Sequence, residues 1–359
     1  MDEWNARASQ RLKNLLSPAV AMASEVRWSA LYRKGDMAEQ TTIIPVAGGK
    51  GGVGKSFVTA NLAVALAQAG KSVIAVDADL GNSNLHTLLG LENRYAGIGE
   101  YLRGTVKCAA TDLIVQTKIP NLGFIPGDGR MPFMANISYN QKLLLLRLIK
   151  SLRADYVLID LSAGTAFNTL DLFLAVESGL VVTTPEHPAL MSTLVFIKSL
   201  VLRAIDQSLR RDASLKEKLN EIHKQSVNSP LFTVERFRNE LAETHPEAVY
   251  KIKAVCARIR PRFVYNMVDA SQDSKVFERI DSTLAEALSV EADHIGVIPY
   301  EQSVRKTLKQ PGIFLREAPD SNVAAALERI AMRIIRYWEM PIPGSAKLLA
   351  KHLPRETHG

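Results

Sequence analysis

The sequence predicts an α/β fold, a mostly parallel sheet covered by helices on both faces in a Rossmann-like, three-layer arrangement. Short apolar, β-rich runs recur along the 359 residues. Helical patterns separate most of them, and repeated β-then-α order yields a parallel sheet. Several runs end in Asp, Asn or Pro, at the carboxyl ends of strands where such sheets keep their chemistry.

Residues 1–40 precede the first strand. Trp4, Ala8, Leu12, Leu15 and Leu16 share a helical face and Pro18 follows, so a short amphipathic helix outside the main domain is expected. Met37 stands directly before the first strand and is a second candidate start. Thr41 to Ala47 (TTIIPVA) reads as that strand. Pro45 removes a ladder donor from a strand that should be central, which predicts a local irregularity. Lys55 to Ala69 reads as a helix, with Val58, Leu62, Ala65, Leu66 and Ala69 on one stripe.

Ser72 to Val76 is an apolar run ending at Asp77, the pattern of a buried parallel strand. Leu122 to Pro126, Tyr156 to Ile159 (ending at Asp160) and Leu180 to Thr184 (ending at Pro185) follow the same pattern. Arg262 to Tyr265 and His294 to Ile298 complete the set, with Asn266 and Pro299 just after them. Gln141 to Leu152 and 322–338 read as helices, the latter striped by Val323, Leu327, Ile330, Ile334 and Trp338. The main domain then spans 41–340 and carries a helical insertion near 204–258. Asn228-Ser229-Pro230 and His245-Pro246 are turn signals in that insertion. The insertion suits a partner surface or the cover of a sheet edge. Pro341 and Pro343 stop the last helix and leave a basic tail, 341–359.

Composition narrows the class. The chain is 47% hydrophobic and 23% charged, ordinary for a globular protein with a sizeable core. A net charge of +7 favours anionic partners, but the basic residues are scattered, which is weak ground for DNA binding. The two cysteines, Cys108 and Cys256, are far apart and form no C-x-x-C pair. That argues against a zinc or iron–sulfur site within one chain and fits a reducing cytoplasm. No uninterrupted apolar run reaches the roughly 18 residues of a spanning segment, and the N-terminus lacks a signal-peptide core.

The most specific stretch is Gly49-Lys50-Gly51-Gly52-Val53-Gly54-Lys55-Ser56, between the first strand and its helix. It fits the phosphate-binding loop pattern G-x-x-x-x-G-K-[ST] in the strand–loop–helix context that pattern requires. Glycines let successive N–H groups point at one anion. Lys55 suits the β- and γ-phosphates of ATP, Ser56 suits Mg²⁺, and the helix adds its positive end. Asp160, after an apolar strand, is the natural second carboxylate for Mg²⁺.

With Lys50 in place, the loop resembles the deviant Walker A motif of the MinD/ParA superfamily of P-loop ATPases. Asp77-Ala78-Asp79-Leu80-Gly81-Asn82-Ser83-Asn84-Leu85 is similar to that family's switch I, and Asp160-Leu161-Ser162-Ala163-Gly164 to its switch II. Tyr265-Asn266 and Ile298-Pro299 resemble its adenine-side elements. The resemblance covers roughly residues 41–335, and within the superfamily it is nearest to the flagellar and polar-positioning, FlhG-type branch. Phe57, where the family often has Thr, makes the first helical turn bulkier and is counted with Gly49 to Ser56 among the nucleotide-binding residues.

The resemblance implies an ATP-dependent homodimerising switch that positions a cellular structure by recruiting a protein partner. Lys50 would reach the phosphates of the partner chain's ATP, and Asp79 would orient the attacking water. Asp77 would support Mg²⁺ through water, Asn84 would shape switch I, and Asn266 with Pro299 would hold adenine. The insertion and the first helix are candidate partner surfaces. Leu349 and Leu353 share a face in the tail, which is short and lacks aromatics, so only weak peripheral contact with the inner membrane face is expected. Two alternatives stand beside this reading. One is a ParA-type segregation ATPase binding DNA non-specifically. The other is a metabolic P-loop enzyme of the same fold, which would not need Lys50.

Overall fold

The computed structural model describes residues 3–15, 41–106, 109–127, 136–176, 178–215, 217–220, 233–269 and 275–351. Among these residues the sheet has eight strands, β1 (Thr42–Ala47), β2 (Val73–Asp77), β3 (Val115–Gln116), β4 (Leu122–Ile125), β5 (Tyr156–Asp160), β6 (Ser178–Thr183), β7 (Arg260–Val268) and β8 (Asp293–Pro299). Their order is β3-β4-β2-β5-β1-β6-β7-β8. The β1–β6, β2–β4, β2–β5, β6–β7 and β7–β8 pairings are parallel, and the β3–β4 edge is antiparallel. The predicted α/β class holds. The chain divides into two compact units, one of 1–44, 56–160 and 301–339, the other of 45–55, 161–300 and 340–359.

In the first unit, β2 is buried along its whole length and so is β5. Their register sets Val73 opposite Tyr156 and Asp77 opposite Asp160. The Lys55–Gln68 helix follows the glycine loop and buries nearly every side chain, which is why its sequence shows little polar face. The Tyr139–Ser151 helix starts where Ser138 accepts from the Gln141 amide and Gln141 returns a bond to the Ser138 N–H, a capping box. Ser321 caps the Asn322–Tyr337 helix in the same position.

The first helix, Glu3–Leu15, is expected outside the main domain but docks on the first unit instead. Trp4 donates its indole N–H to the Leu315 carbonyl at 3.1 Å, and Ala8 and Leu12 are buried. Arg11 binds the Pro319 carbonyl at 2.8 Å and the buried Glu328 carboxylate at 3.0 Å. Leu16 and Pro18 lie outside the described residues.

In the second unit, β1 runs beside β6 with Val46 opposite Leu180. Pro45 is accommodated by a glycine. A Cβ on Gly179 would lie 2.9 Å from the Pro45 ring and 2.6 Å from Phe173. The His187–Leu209 helix is long and apolar enough, by length and composition, to cross a membrane. Its Phe196, Ile197, Leu200 and Val201 are wholly buried in the unit's packing.

The Pro246–Arg258 helix, which begins at the His245-Pro246 turn signal, packs on that helix, and Val234–Leu241 packs on Pro246–Arg258. The Asn228-Ser229-Pro230 turn signal lies outside the described residues. The tail does not stay solvated after Pro343. Ser345–Ala350 is a helix against β8, with Ala346 and Leu349 buried. Leu349, expected on a membrane-facing stripe, is therefore a packing residue, and Leu353 lies outside the described residues.

Candidate functional site

The glycine loop leaves β1 at Ala47. Gly52 and Gly54 have φ of +86° and +89°, where only glycine sits without strain. Gly49 lacks a side chain for a different reason, since a Cβ there would collide with the backbone at Ser192. A Cβ on Gly48 would lie 2.9 Å from the Val182 carbonyl. The Gly48 carbonyl accepts from the Gly164 amide at 3.1 Å, so the loop base is tied to the segment after β5. Lys55 is buried at the head of its helix and Lys50 is exposed.

Asn266, expected to hold adenine, is only 4% exposed, and its Nδ2 donates to the Val53 carbonyl at 2.9 Å. Its amide fills the space a Gly54 side chain would take. Here its side chain contacts the loop itself. Pro299 pairs with Val268, and the following Tyr300 amide donates to the Val268 carbonyl at 2.9 Å. Phe57, expected among the nucleotide-binding residues, has its ring buried in the core, edge-on to Phe314 at 5.2 Å.

The carboxylates gather at the ends of β2 and β5. Asp77 and Asp160 are register partners, 0% and 1% exposed. Asp160 accepts from the Thr59 hydroxyl at 3.3 Å. Asp77 accepts from Ser83 Oγ at 2.6 Å, the Leu85 amide at 3.1 Å and the Asp79 amide at 3.2 Å. Burial, with the Asp160 charge beside it, pushes the Asp77 carboxyl up to about 7, although the Ser83 and Leu85 bonds act the other way. Two carboxylates in so little water suit a divalent cation, whose charge would offset their repulsion.

Asp77 thereby organises the 79–85 segment, with Asp79 half-buried beside it. Asn84 donates within that segment, to the Asn82 carbonyl and side chain.

Four residues escaped the sequence reading. Thr59 sits one turn into the loop helix, and only the fold shows that its hydroxyl meets Asp160. Ser83 lay inside the switch-like string with nothing local to mark it. Gly127 closes over Asp77, since a Cβ there would lie 2.7 Å from the Asp77 carbonyl and from Ser83 Oγ. Arg203 grips Asp171 with two bonds of 2.8 and 3.0 Å and covers the Phe167 ring, fixing the helix after the second switch-like segment.

Residues 44–311 match the CobQ/CobB/MinD/ParA nucleotide binding domain. The chain belongs to this family. Within it, the septum site-determining protein MinD of Helicobacter pylori is 40% identical over 151 residues, 41% of this chain and 54% of that protein. The chain thus aligns with about half the length of that MinD. The antiactivator FleN of Pseudomonas aeruginosa is 24% identical over 302 residues, 83% of this chain and 88% of FleN. The Pyrococcus horikoshii MinD structure, a complex with Mg-ADP, superposes with a TM-score of 0.53 at 22% identity, over 84% of this chain and all of that one. That likeness bears on the fold alone.

Proposed function

We propose that this family member is an ATP-hydrolysing switch that dimerises with ATP bound and positions a cellular structure by recruiting a protein partner. The observation that carries the reading is the pair of left-handed glycines, Gly52 and Gly54, set directly before Lys55 at the head of its helix. That geometry turns loop amides toward one anion and adds a lysine charge and a helix end. Gly49 to Ser56 hold the phosphates, Ser56 and Asp160 hold Mg²⁺, and Asp77 supports it through water. Mg²⁺, when bound, would neutralise charge developing on the phosphates. Asp79 orients the attacking water, and Lys50 serves the partner chain's nucleotide.

The relatives bear on the process. One is named for siting the septum and another is named an antiactivator. We place this chain among positioning switches acting in the cytoplasm or at the inner membrane face. The antiactivator FleN aligns over most of this chain, which supports a regulatory switch over a plasmid-segregation role. The test of nucleotide binding is Lys55→Ala, which removes the point charge on the β- and γ-phosphates. Calorimetry should show no measurable Mg-ATP binding by the folded variant. Near-normal binding would sink the proposal.

A further inference from the structure

We infer that Ser83 is a positioning residue for hydrolysis: its hydroxyl closes the 79–85 loop onto Asp77 and thereby fixes Asp79. This rests on the reading above, in which Asp79 orients the attacking water.

One carboxylate pins both ends of that loop. The chain leaves β2 at Asp77, and the Asp79 amide donates back to Asp77 Oδ1 at 3.2 Å. The returning chain takes the other oxygen. Ser83 Oγ donates to Asp77 Oδ2 at 2.6 Å, and the Leu85 amide donates to the same atom at 3.1 Å. Between the two ends, the Asn82 amide donates to the Asp79 carbonyl at 3.0 Å, so Asp79 opens a tight turn. Leu85 is wholly buried and anchors the return in the core. Two of the three bonds to Asp77 come from main-chain N–H groups, which any residue but proline supplies. Only the Ser83 bond depends on the identity of a side chain.

A turn serine ordinarily bonds main chain close by in sequence. Ser83 instead reaches six residues back, at the short length of a hydroxyl on a carboxylate. The neighbouring chain leaves room for that bond and covers it. A Cβ on Gly127 would lie 2.7 Å from Ser83 Oγ and 3.2 Å from the Asp77 carboxyl carbon, so glycine lets the segment after β4 close over the pair. The segment is itself held, since the Ile98 amide donates to the Pro126 carbonyl at 2.9 Å. Asp77 is fully buried, so bulk water does not simply replace a lost hydroxyl. Without it the returning chain loosens, and the turn that carries Asp79 drifts. Small displacements of a water-orienting group cost rate more than binding.

The experiment is a cycle of four full-length proteins: wild type, Ser83→Ala, Asp79→Ala and the double variant. Mg-ATP affinity and single-turnover hydrolysis are measured on each. Ser83→Ala should bind Mg-ATP within about twofold of wild type and hydrolyse it about tenfold more slowly. In the Asp79→Ala background the same change should alter the residual rate by less than about twofold, because there is no longer an Asp79 to misplace. Equal losses in both backgrounds, a loss of ATP affinity, or an unchanged rate in Ser83→Ala overturns the inference.

A second measurement needs no nucleotide. In the ligand-free protein, the Asp79 and Leu85 amides should exchange hydrogen at least about fivefold faster in Ser83→Ala than in wild type. The amides of β5 should keep their rates. Unchanged exchange at both loop amides overturns the inference, and so does faster exchange throughout β2 and β5, which would mark a general loosening. A wild type that binds no Mg-ATP overturns the nucleotide reading instead. The exchange rates then still decide whether Ser83 closes the loop, which keeps the two failures apart.

Discussion

Asp77 and Asp160 stand opposite each other at the carboxyl ends of two adjacent parallel strands, both shut away from solvent. Like charges so placed repel, and Asp77 is held well above the ordinary carboxylate range. Asp160→Asn removes one charge and keeps an acceptor for Thr59. Without ligand, the variant should melt no lower than wild type. The rise in melting temperature that Mg-ATP gives wild type should vanish. Scanning calorimetry with and without Mg-ATP checks both halves. A ligand-free variant melting several degrees lower would mean that Asp160 serves stability, through Thr59, more than metal binding.

Gly49→Ala tests the close approach of the loop to the His187–Leu209 helix. The added methyl meets the Ser192 backbone, which cannot rotate away as a side chain would. Overpacking of this kind costs about 1–3 kcal/mol, and the loop should lose ATP affinity along with it. Urea unfolding and nucleotide titration on the same preparation measure the two effects. An unchanged unfolding midpoint would show that the loop has room to shift there.

Catalysis should be shared between two chains. Lys50 is exposed in the loop, and Lys55 is buried at the helix head. Lys50→Ala should bind ATP yet neither dimerise nor hydrolyse it, and Asp79→Ala should bind ATP, dimerise and nearly stop hydrolysis. Mixing the two restores one complete site per heterodimer, on the Lys50→Ala chain, served by the lysine of its Asp79→Ala partner. Hydrolysis should return at that site once sedimentation shows that heterodimers have formed. Heterodimers that stay inactive would argue that Lys50 only shapes its own loop. For Asp79→Ala alone, single-turnover hydrolysis within about threefold of wild type, under roughly 0.7 kcal/mol of barrier, would exclude it as the water-positioning group.

Arg11→Ala should loosen the first helix in a pH-dependent way. Glu328 is 4% exposed, and burial raises its carboxyl above the ordinary value of 4.5 even with Arg11 beside it. A carboxyl raised on folding opposes stability as pH climbs through and above 4.5, because folding then favours the protonated form. Loss of Arg11 deepens that penalty. The variant should fall short of wild type by about 1–3 kcal/mol at pH 7 and by clearly less near pH 4. Denaturant titrations at the two pH values decide it. An equal deficit at both would assign the helix docking to Trp4 and Leu12 instead of the ion pair.

The sequence made the strands and their chemistry legible because both are local. Val73–Asp77 and Tyr156–Asp160 are apolar runs with an acid at the end, and the glycine loop carries its own spacing. Other features depend on what the fold brings near. β3 is two residues long and pairs only at the edge, too short to show a period. Thr59 and Ser83 look like ordinary helix and turn residues until their hydroxyls meet Asp160 and Asp77. The stripe on the first helix was visible, but the glutamate at 328 waiting for Arg11 was not. Leu349 sat on a stripe suited to a membrane, and the same side chain serves docking on β8. Hydrophobic periodicity names a buried face without naming what buries it.

Pro45 and Gly179 form a single packing unit. The ring on β1 fills the volume that the missing side chain on β6 leaves open, with Phe173 closing the far side. A relative carrying alanine or valine at the second position would have to give up proline at the first. Anyone grafting this strand into another member of the family, or recombining fragments between members, has to move both positions together.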